Sequence, residues 1–410
     1  MASTPLQDKY VVLGVTGSIA AYKAADLASK LAQAGALVDT VLTEAATRFV
    51  SPLTFQSVTG RPAYTDADLW GAQAHVLHVG LGHKADLLVI APATAQTMAK
   101  LAHGLADNLL TLTTLAATCP VLLAPAMDGG MFGHTATQAN VCLLQERGLV
   151  IVGPGEGHLA SGLKARGRMI EPAELVGHIR YLLSRGGPLA GRRVIVTAGG
   201  TQEPVDPVRV LTNRSSGKQG LALAQAALDA GADVTLIAAP ISLPVPVGVQ
   251  HIAVHTAAEM AGAVLDACPH ADALLMAAAV ADFRPAGPSV HKIKKAQGVP
   301  TLALERTPDI LSEVARQRRE SGRPRAVVGF AAETENVLAN AQAKLEAKGL
   351  DLMVANDVSA ADAGFGVDTN RVTLIDAGGA NPLPLLSKAE VADQVIERLV
   401  DLLREPRARE

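Results

Sequence analysis

The fold is decided at VVLGVTGSIAAYKAADLASKLAQAG, residues 11–35. An unbroken apolar run ends in a glycine turn. Behind it, apolar residues recur at helical spacing until Gly35 stops the pattern. A run without alternation predicts a strand buried on both faces, and residues 18–35 predict a helix with Ser18 at its N-cap. LVDTVLT (37–43), DLLVIAPA (86–93), VLLAPAM (121–127) and LVIVGP (149–154) read as further buried strands. Buried strands alternating with helices predict an α/β fold, a doubly wound parallel sheet covered on both faces.

The pattern then restarts. RRVIVTAGG (192–200) is again a strand into a glycine turn, and GLALAQAALDAG (220–231) a helix. DVTLIAAP (233–240), DALLMAAAVAD (272–282), AVVGFAAET (326–334) and LDLMVAND (350–357) continue the series. Glycine and proline cluster in SRGGPLAGRR (184–193), which places a boundary near residue 188 and predicts two domains, 1–187 and 188–410. The Pro-, Gly- and Lys-rich stretch 281–305 interrupts the second half, and a long irregular segment in a compact domain is usually functional.

A chain of 410 residues, 49% hydrophobic, is long enough for two cores. With 36 Lys+Arg against 39 Asp+Glu, its formal net charge of −3 argues against a nucleic-acid binder. Cys119, Cys142 and Cys268 are far apart and show no metal-ligand spacing, so a reducing cytoplasm is the expected setting. The uncharged stretch 108–127 approaches membrane-span length, but its four threonines and two prolines read as a helix end, a turn and a strand. No membrane partner is expected.

Several motifs carry two readings each. The glycines and Ser18 of GVTGSIAAYKA (14–24) fit a phosphate at a helix start, or simply a tight turn. Pro92 and Thr94 end a strand where a ligand can approach, or form an ordinary loop. His78 sits between His75 and His83 without helix-face metal spacing, which favours a single imidazole base over a metal. In the second half, Ser215, Ser216, Gly217 and Lys218 make an anion cradle without the P-loop spacing. KIKK (292–295) adds positive charge, and Lys344 and Lys348 share one helix face. The residues alone give two phosphate-bearing ligands and no reaction; an NAD-dependent dehydrogenase stays open, without a dinucleotide fingerprint to support it.

Together these motifs resemble, over essentially the whole chain, the bifunctional coenzyme A biosynthesis family, in which phosphopantothenoylcysteine decarboxylase is fused to phosphopantothenate–cysteine ligase. The resemblance implies a flavodoxin-like first domain holding FMN at Gly17, Ser18, Thr43 and Thr94, with His78 in the active site. It implies flavin oxidation of the substrate thiol, loss of CO2, and reduction of the product with a cysteine supplying a proton. Two positions depart from the family. Its Pro-x-Met-Asn-x-x-Met-Trp reads PAMDGGMF here, with Asp128 for Asn and Phe132 for Trp; its cysteine position is Ser161. An ionised Asp128 opposes a substrate carboxylate unless it is protonated or turned away.

The second domain resembles the CTP- and Mg2+-dependent ligase, with a Rossmann-like fold. The signature N-x-S-S-G-K stands at residues 213–218. The resemblance assigns Asn213 to an acyl-cytidylate, Arg209 to substrate phosphate or carboxylate, and 4′-phosphopantothenate and cysteine as co-substrates. It places CTP against Ser215, Ser216, Gly217, Ala278, Ala279, Val280, Asp282, Lys292, Thr307, Pro308, Asp309, Ile310, Phe330, Lys344 and Lys348; Thr307 replaces the family's Asn. It also implies a homo-oligomer with trimeric decarboxylase and dimeric ligase contacts, which a dodecamer satisfies. The alternatives are a working ligase beside an impaired, enethiol-releasing flavoprotein, and a flavin-binding scaffold.

Overall fold

A computed structural model describes residues 4–70, 76–158, 162, 164–294, 301–333, 337–357 and 367–404. They fall into two units, Ser3–Leu183 and Ser184–Glu410. The first runs β1 (Tyr10–Val15), α1 (Ala21–Gln33), β2 (Leu37–Leu42), α2 (Glu44–Thr47), α3 (Pro52–Thr59) and a short edge strand β3 (Ala63–Tyr64). It continues through α4 (Leu77–Lys84), β4 (Leu87–Ala93), α5 (Ala95–His103), α6 (Leu109–Ala116), β5 (Val121–Pro125), α7 (Gly129–Gly133), α8 (Thr135–Glu146) and β6 (Val150–Ile151). A hairpin of β7 (Gly155–His158) and β8 (Lys164–Arg168) precedes α9 (Pro172–Ser184).

The sheet is parallel, in the order β3-β2-β1-β4-β5-β6. Without the edge strand β3 this is the second-first-third-fourth-fifth order of flavodoxins. The apolar runs are continuous because successive residues enter two cores. Val11, Leu13 and Val15 pack with α1 residues Leu27 and Leu31, while Tyr10 and Val12 pack with Met98 and Leu110 of α5 and α6.

The second unit runs β9 (Arg193–Ala198), the hairpin β10 (Gln202–Pro204) and β11 (Val210–Thr212), α10 (Lys218–Asp229), β12 (Asp233–Ala238), β13 (Gln250–Ala253), α11 (Ala257–Ala267) and β14 (Ala273–Met276). There follow the pair β15 (Phe283–Pro285) and β16 (Leu304–Arg306), α12 (Ile310–Ser321), β17 (Ala326–Glu333), α13 (Val337–Ala347) and β18 (Leu352–Asp357). Short strands β19 (Thr369–Asn370), β20 (Val372–Asp376), β21 (Gly379–Pro382) and β22 (Leu386–Ser387) lead into α14 (Lys388–Arg404). The main sheet is β13-β12-β9-β14-β17-β18-β20-β21, its first six strands parallel and its last two antiparallel. Those six follow the Rossmann order, reversing between β9 and β14.

Three local expectations change. Helix α1 starts at Ala21 with Ala20 at its N-cap, not Ser18. Residues 17–20 close a turn of their own, in which the Ser18 carbonyl accepts from the Ala21 N–H and the Ser18 hydroxyl from the Ala20 N–H. The 149–154 run forms only β6, because Gly153 takes a positive φ and turns the chain. The 272–282 run is a strand only to Met276, beyond which the chain lines a cleft.

Helix α10 lies directly on β9. A Cβ at Gly220 would stand 2.6 Å from the Ala198 Cβ and 2.8 Å from the Thr197 carbonyl oxygen. Gly220→Ala should therefore destabilise the second unit by about 1–3 kcal/mol despite alanine's better helix propensity. Its urea midpoint is the measure; an unchanged or higher midpoint contradicts the packing.

Candidate functional site

In the first unit, strand order reverses between β1 and β4, and a cleft of about 1090 Å³ opens at their carboxyl ends. Such a crevice is where open α/β sheets bind ligands. Its floor is tied by the buried Thr16, whose hydroxyl donates to the Pro92 carbonyl (2.7 Å) and accepts from the Thr94 N–H (3.1 Å). Gly17, Ser18, Thr43 and Thr94 all line the cleft. Thr43 and Thr94 cap α2 and α5, and a Cβ at Gly17 would fall 2.5 Å from the Ala45 Cβ. Small residues, helix starts and the cationic Lys23, Lys100 and Arg168 fit a phosphate-bearing planar cofactor.

Lys23 is buried and donates to Glu171 at 2.8 Å and to the Met169 carbonyl at 3.2 Å. That bond, against the opposing effect of burial, holds the Glu171 carboxyl below the ordinary range. Lys100 does the same to Asp107.

Asp128 also lines this cleft. Its Oδ1 accepts from the Gly130 N–H at 2.9 Å, as the N-cap of α7, so the carboxylate is turned along the helix. The β7–β8 hairpin is pinned to the same segment. The Met127 N–H donates to the Gly167 carbonyl at 3.0 Å, and a Cβ at Gly167 would lie 2.3 Å from the Met127 oxygen. Phe132 is buried beneath the Arg166 guanidinium, 5.3 Å from its ring centre. Ser161, which falls between β7 and β8 in the sequence, lies outside the described residues. His78 is on α4, half-buried, and does not line the cleft; its buried Nδ1 has no partner among the described residues.

The second cleft, about 900 Å³, opens where order reverses between β9 and β14. Asn213, residues 215–217, 278–280 and 307–310, and Asp282, Phe330, Lys344 and Lys348 all line it. Threonines tie this floor too. The Ala278 N–H donates to the Thr197 hydroxyl (3.0 Å) and the Ala281 N–H to the Thr201 hydroxyl (2.9 Å). Gly217 caps α10 in the left-handed region (φ 73°) and has no side chain to cap it; the Gly217 and Lys218 N–H groups make long bonds to the Ser215 (3.4 Å) and Ser216 (3.5 Å) hydroxyls, at a helix start suited to an anion. The Asn213 side chain donates to the Val280 carbonyl at 3.0 Å, and the Thr307 hydroxyl to that of Ala281 at 2.5 Å.

Asp309 caps α12 and pairs with Lys348, which also donates to the Ser312 hydroxyl at 2.8 Å. Burial pushes the Asp309 carboxyl up, but Lys348 and Ser312 outweigh it and keep it below its usual range.

Arg209 and Lys292 do not line the cleft. Arg209 Nη1 donates to Asp206 (2.7 Å) and to the Ile293 carbonyl (3.2 Å), while the buried Asp206 also takes the Ile293 N–H (3.2 Å). These bonds fasten the segment carrying Lys292 to the β10–β11 turn. Sequence reasoning missed Gln219, Asn356, Asn370 and Lys388, which also line the cleft. Lys388 is buried, and burial followed by the Lys218 charge pulls its ammonium down against the opposing pull of Asp368. An Asn-Asp ending the apolar run of β18 was the available signal.

Family models match both halves: "Flavoprotein" over residues 1–184, and "DNA/pantothenate metabolism flavoprotein C-terminal domain" over 189–403. The coenzyme A biosynthesis bifunctional protein CoaBC of Bacillus subtilis (strain 168) is 45% identical over 404 residues, 98% of this chain and 98% of that protein. The chain belongs to the family of coenzyme A biosynthesis bifunctional proteins. As a member it is an enzyme of coenzyme A biosynthesis, with a phosphopantothenoylcysteine decarboxylase half and a phosphopantothenate–cysteine ligase half. It is similar to the crystal structure of the C-terminal domain of a CoaBC protein (37% identity, TM-score 0.45, 53% of this chain and 98% of that one). It is also similar to a mutant PPC decarboxylase complexed with pantothenoylaminoethenethiol (34% identity, TM-score 0.39, 42% and 97%).

Among the described residues, no helix is long and apolar enough to cross a membrane, and no cysteine lines the flavoprotein cleft. Burial pushes the Cys268 thiol up to about 12 and raises that of Cys119, whereas Cys142 is exposed on α8. Iodoacetamide at about pH 8 should therefore modify Cys142 first in the native protein and all three cysteines after denaturation, read by peptide mass. Early modification of Cys268 would contradict its burial.

Proposed function

We propose that the second cleft joins cysteine to 4′-phosphopantothenate at the expense of CTP, and that the first decarboxylates the product to 4′-phosphopantetheine with FMN. The observation that carries the ligase reading is the gathering of the 213–217, 278–282 and 307–310 segments with Phe330, Lys344 and Lys348 around one cleft. The two activities are assigned to residues 1–187 and 188–410.

In the ligase half, the start of α10 and Lys344 hold the phosphates, so that negative charge building on pyrophosphate meets positive charge. The substrate carboxylate attacks the CTP α-phosphate, and pyrophosphate leaves. The cysteine amine then attacks the acyl-cytidylate carbonyl and CMP departs. Asn213, anchored on Val280 by one N–H, has its second N–H to steady the oxygen on which charge develops. Mg2+ enters with the triphosphate; among the described residues no group of three or more His, Cys, Asp or Glu side chains could hold a metal by itself.

In the flavoprotein half, Gly17, Ser18, Thr43 and Thr94 hold FMN. When bound, FMN supplies two-electron redox chemistry. The chain orients the substrate with the hairpin pinned at Gly167 and keeps Asp128 engaged on α7. The family resemblance extends the proposal to a homo-oligomer, trimeric for the decarboxylase and dimeric for the ligase, in which neighbouring copies would bring His78, Arg209 and Lys292, none of which lines the cleft of its own unit, to the sites. The unpaired cysteines suit a reducing cytoplasm.

One observation favours a second reading: no described cysteine reaches the flavoprotein cleft, and a serine hydroxyl is a far weaker acid than a thiol. The decarboxylase half would then release an enethiol. Purified protein with phosphopantothenate, cysteine, CTP and magnesium decides by product mass. Phosphopantetheine is the expected product. A product two mass units lighter (the two hydrogens not returned) supports the second reading, and formation of neither phosphopantothenoylcysteine nor any product derived from it overturns the ligase assignment.

A further inference from the structure

Four residues far apart in the chain form a chain of amides along one wall of the ligase cleft. Gln219 Nε2 donates to the Lys388 carbonyl at 3.1 Å, Asn370 Nδ2 to Gln219 Oε1 at 3.0 Å, and Asn356 Nδ2 to Asn370 Oδ1 at 3.4 Å. A backbone carbonyl only accepts, so the first bond sets the direction of all the others. Turning over Gln219 or Asn370 would set oxygen against oxygen or N–H against N–H. The consequence falls on Asn356. Its Nδ2 is committed inward, and its Oδ1 is left buried with no donor among the described residues. Asn356 lines the cleft, so the group that satisfies this oxygen comes from the occupant.

We infer that Gln219 and Asn370 are positioning residues that lock Asn356 as an acceptor, and that the ligase cleft selects a nucleotide presenting a hydrogen-bond donor to it. The donor is an exocyclic amine of the base or a ribose hydroxyl. The inference rests on the reading of this cleft as a CTP site. A site built to accept from a donor discriminates strongly against an analogue that lacks it, because the buried acceptor is then left unpaired.

The test is calorimetric binding of CTP, UTP, 2′-deoxy-CTP and 3′-deoxy-CTP to the full chain and to its Asn370→Leu and Asn370→Asp variants. On the unaltered chain, one analogue should bind about ten- to a hundredfold more weakly than CTP. UTP identifies the amine as the donor, and a deoxy analogue identifies a hydroxyl. In Asn370→Leu, where Asn356 is free to turn, that gap should shrink to about threefold or less. Asn370→Asp still accepts from Asn356 Nδ2 and should retain the gap, which a loss of fold would not. Gln219→Leu, one step further along, replaces Asn370→Leu if the latter does not fold.

An undiminished gap in Asn370→Leu overturns the inference, as does equal binding of all four nucleotides to the unaltered chain. Failure of the unaltered chain to bind any of them overturns the CTP reading itself, and this inference with it.

Discussion

Gly17→Val protein should be purified colourless, while the unaltered chain is yellow. The argument is steric. Gly17 follows β1 where the chain passes under the start of α2, and even a bare Cβ would stand 2.5 Å from the Ala45 Cβ and 3.2 Å from its carbonyl carbon. Neither neighbour is the end of a flexible side chain, so the 43–46 segment has to move. That segment carries Thr43, and Gly17 leads directly into Ser18; both face the cleft. Overpacking costs about 1–3 kcal/mol. Expressed in the bound geometry, this weakens FMN by roughly five- to a hundredfold. Flavin absorbance per mole of protein measures it, with far-UV dichroism to show that the sheet persists. Full flavin content in folded Gly17→Val protein would remove Gly17 from the cofactor site. Ligase turnover in the same sample should be unaffected.

Asn213→Ala should form product about a hundred- to a thousandfold more slowly, the range seen when one preorganised donor to a developing oxyanion is lost. Asn213 is held by its bond to the Val280 carbonyl, in the same cleft as the start of α10. The loss should fall on amide formation. Pyrophosphate release in a single turnover then stays fast, and the acyl-cytidylate accumulates. If pyrophosphate release slows equally, Asn213 acts in the first half-reaction and its assignment is wrong.

How much was legible in the sequence differs between levels of structure. The buried strands were plain because alternate residues of β1 serve two different cores, so that no polar face interrupts the run. The 215–217 cradle was legible because its donors are continuous and end at a helix start, whereas the roles of Asn213 and of 307–310 came from the family resemblance. Ser18 misled because the turn ahead of α1 is closed by backbone and local bonds, which composition does not distinguish from a side-chain cap. The amide wall was out of reach. Gln219 and Lys388 are 169 residues apart, and a lone polar residue in an apolar stretch has no pattern until the fold gives it neighbours. That His78, Arg209 and Lys292 do not line the clefts of their own units was equally out of reach, since only coordinates place them.

The threonines beneath the two clefts have a consequence for how the molecule breathes. The amide protons of Thr94, Ala278 and Ala281 belong to no helix or strand ladder; each is held by a single threonine hydroxyl. Loop amides ordinarily exchange with solvent far faster than those of a central strand. Here exchange at these three amides should be slow before any ligand is present, and Thr16→Val should release Thr94 alone. Floors already still when the ligand arrives leave little disorder to be lost on binding. Affinity in each half then depends on groups that are in place beforehand, and temperature should erode it only when the sheet itself begins to open.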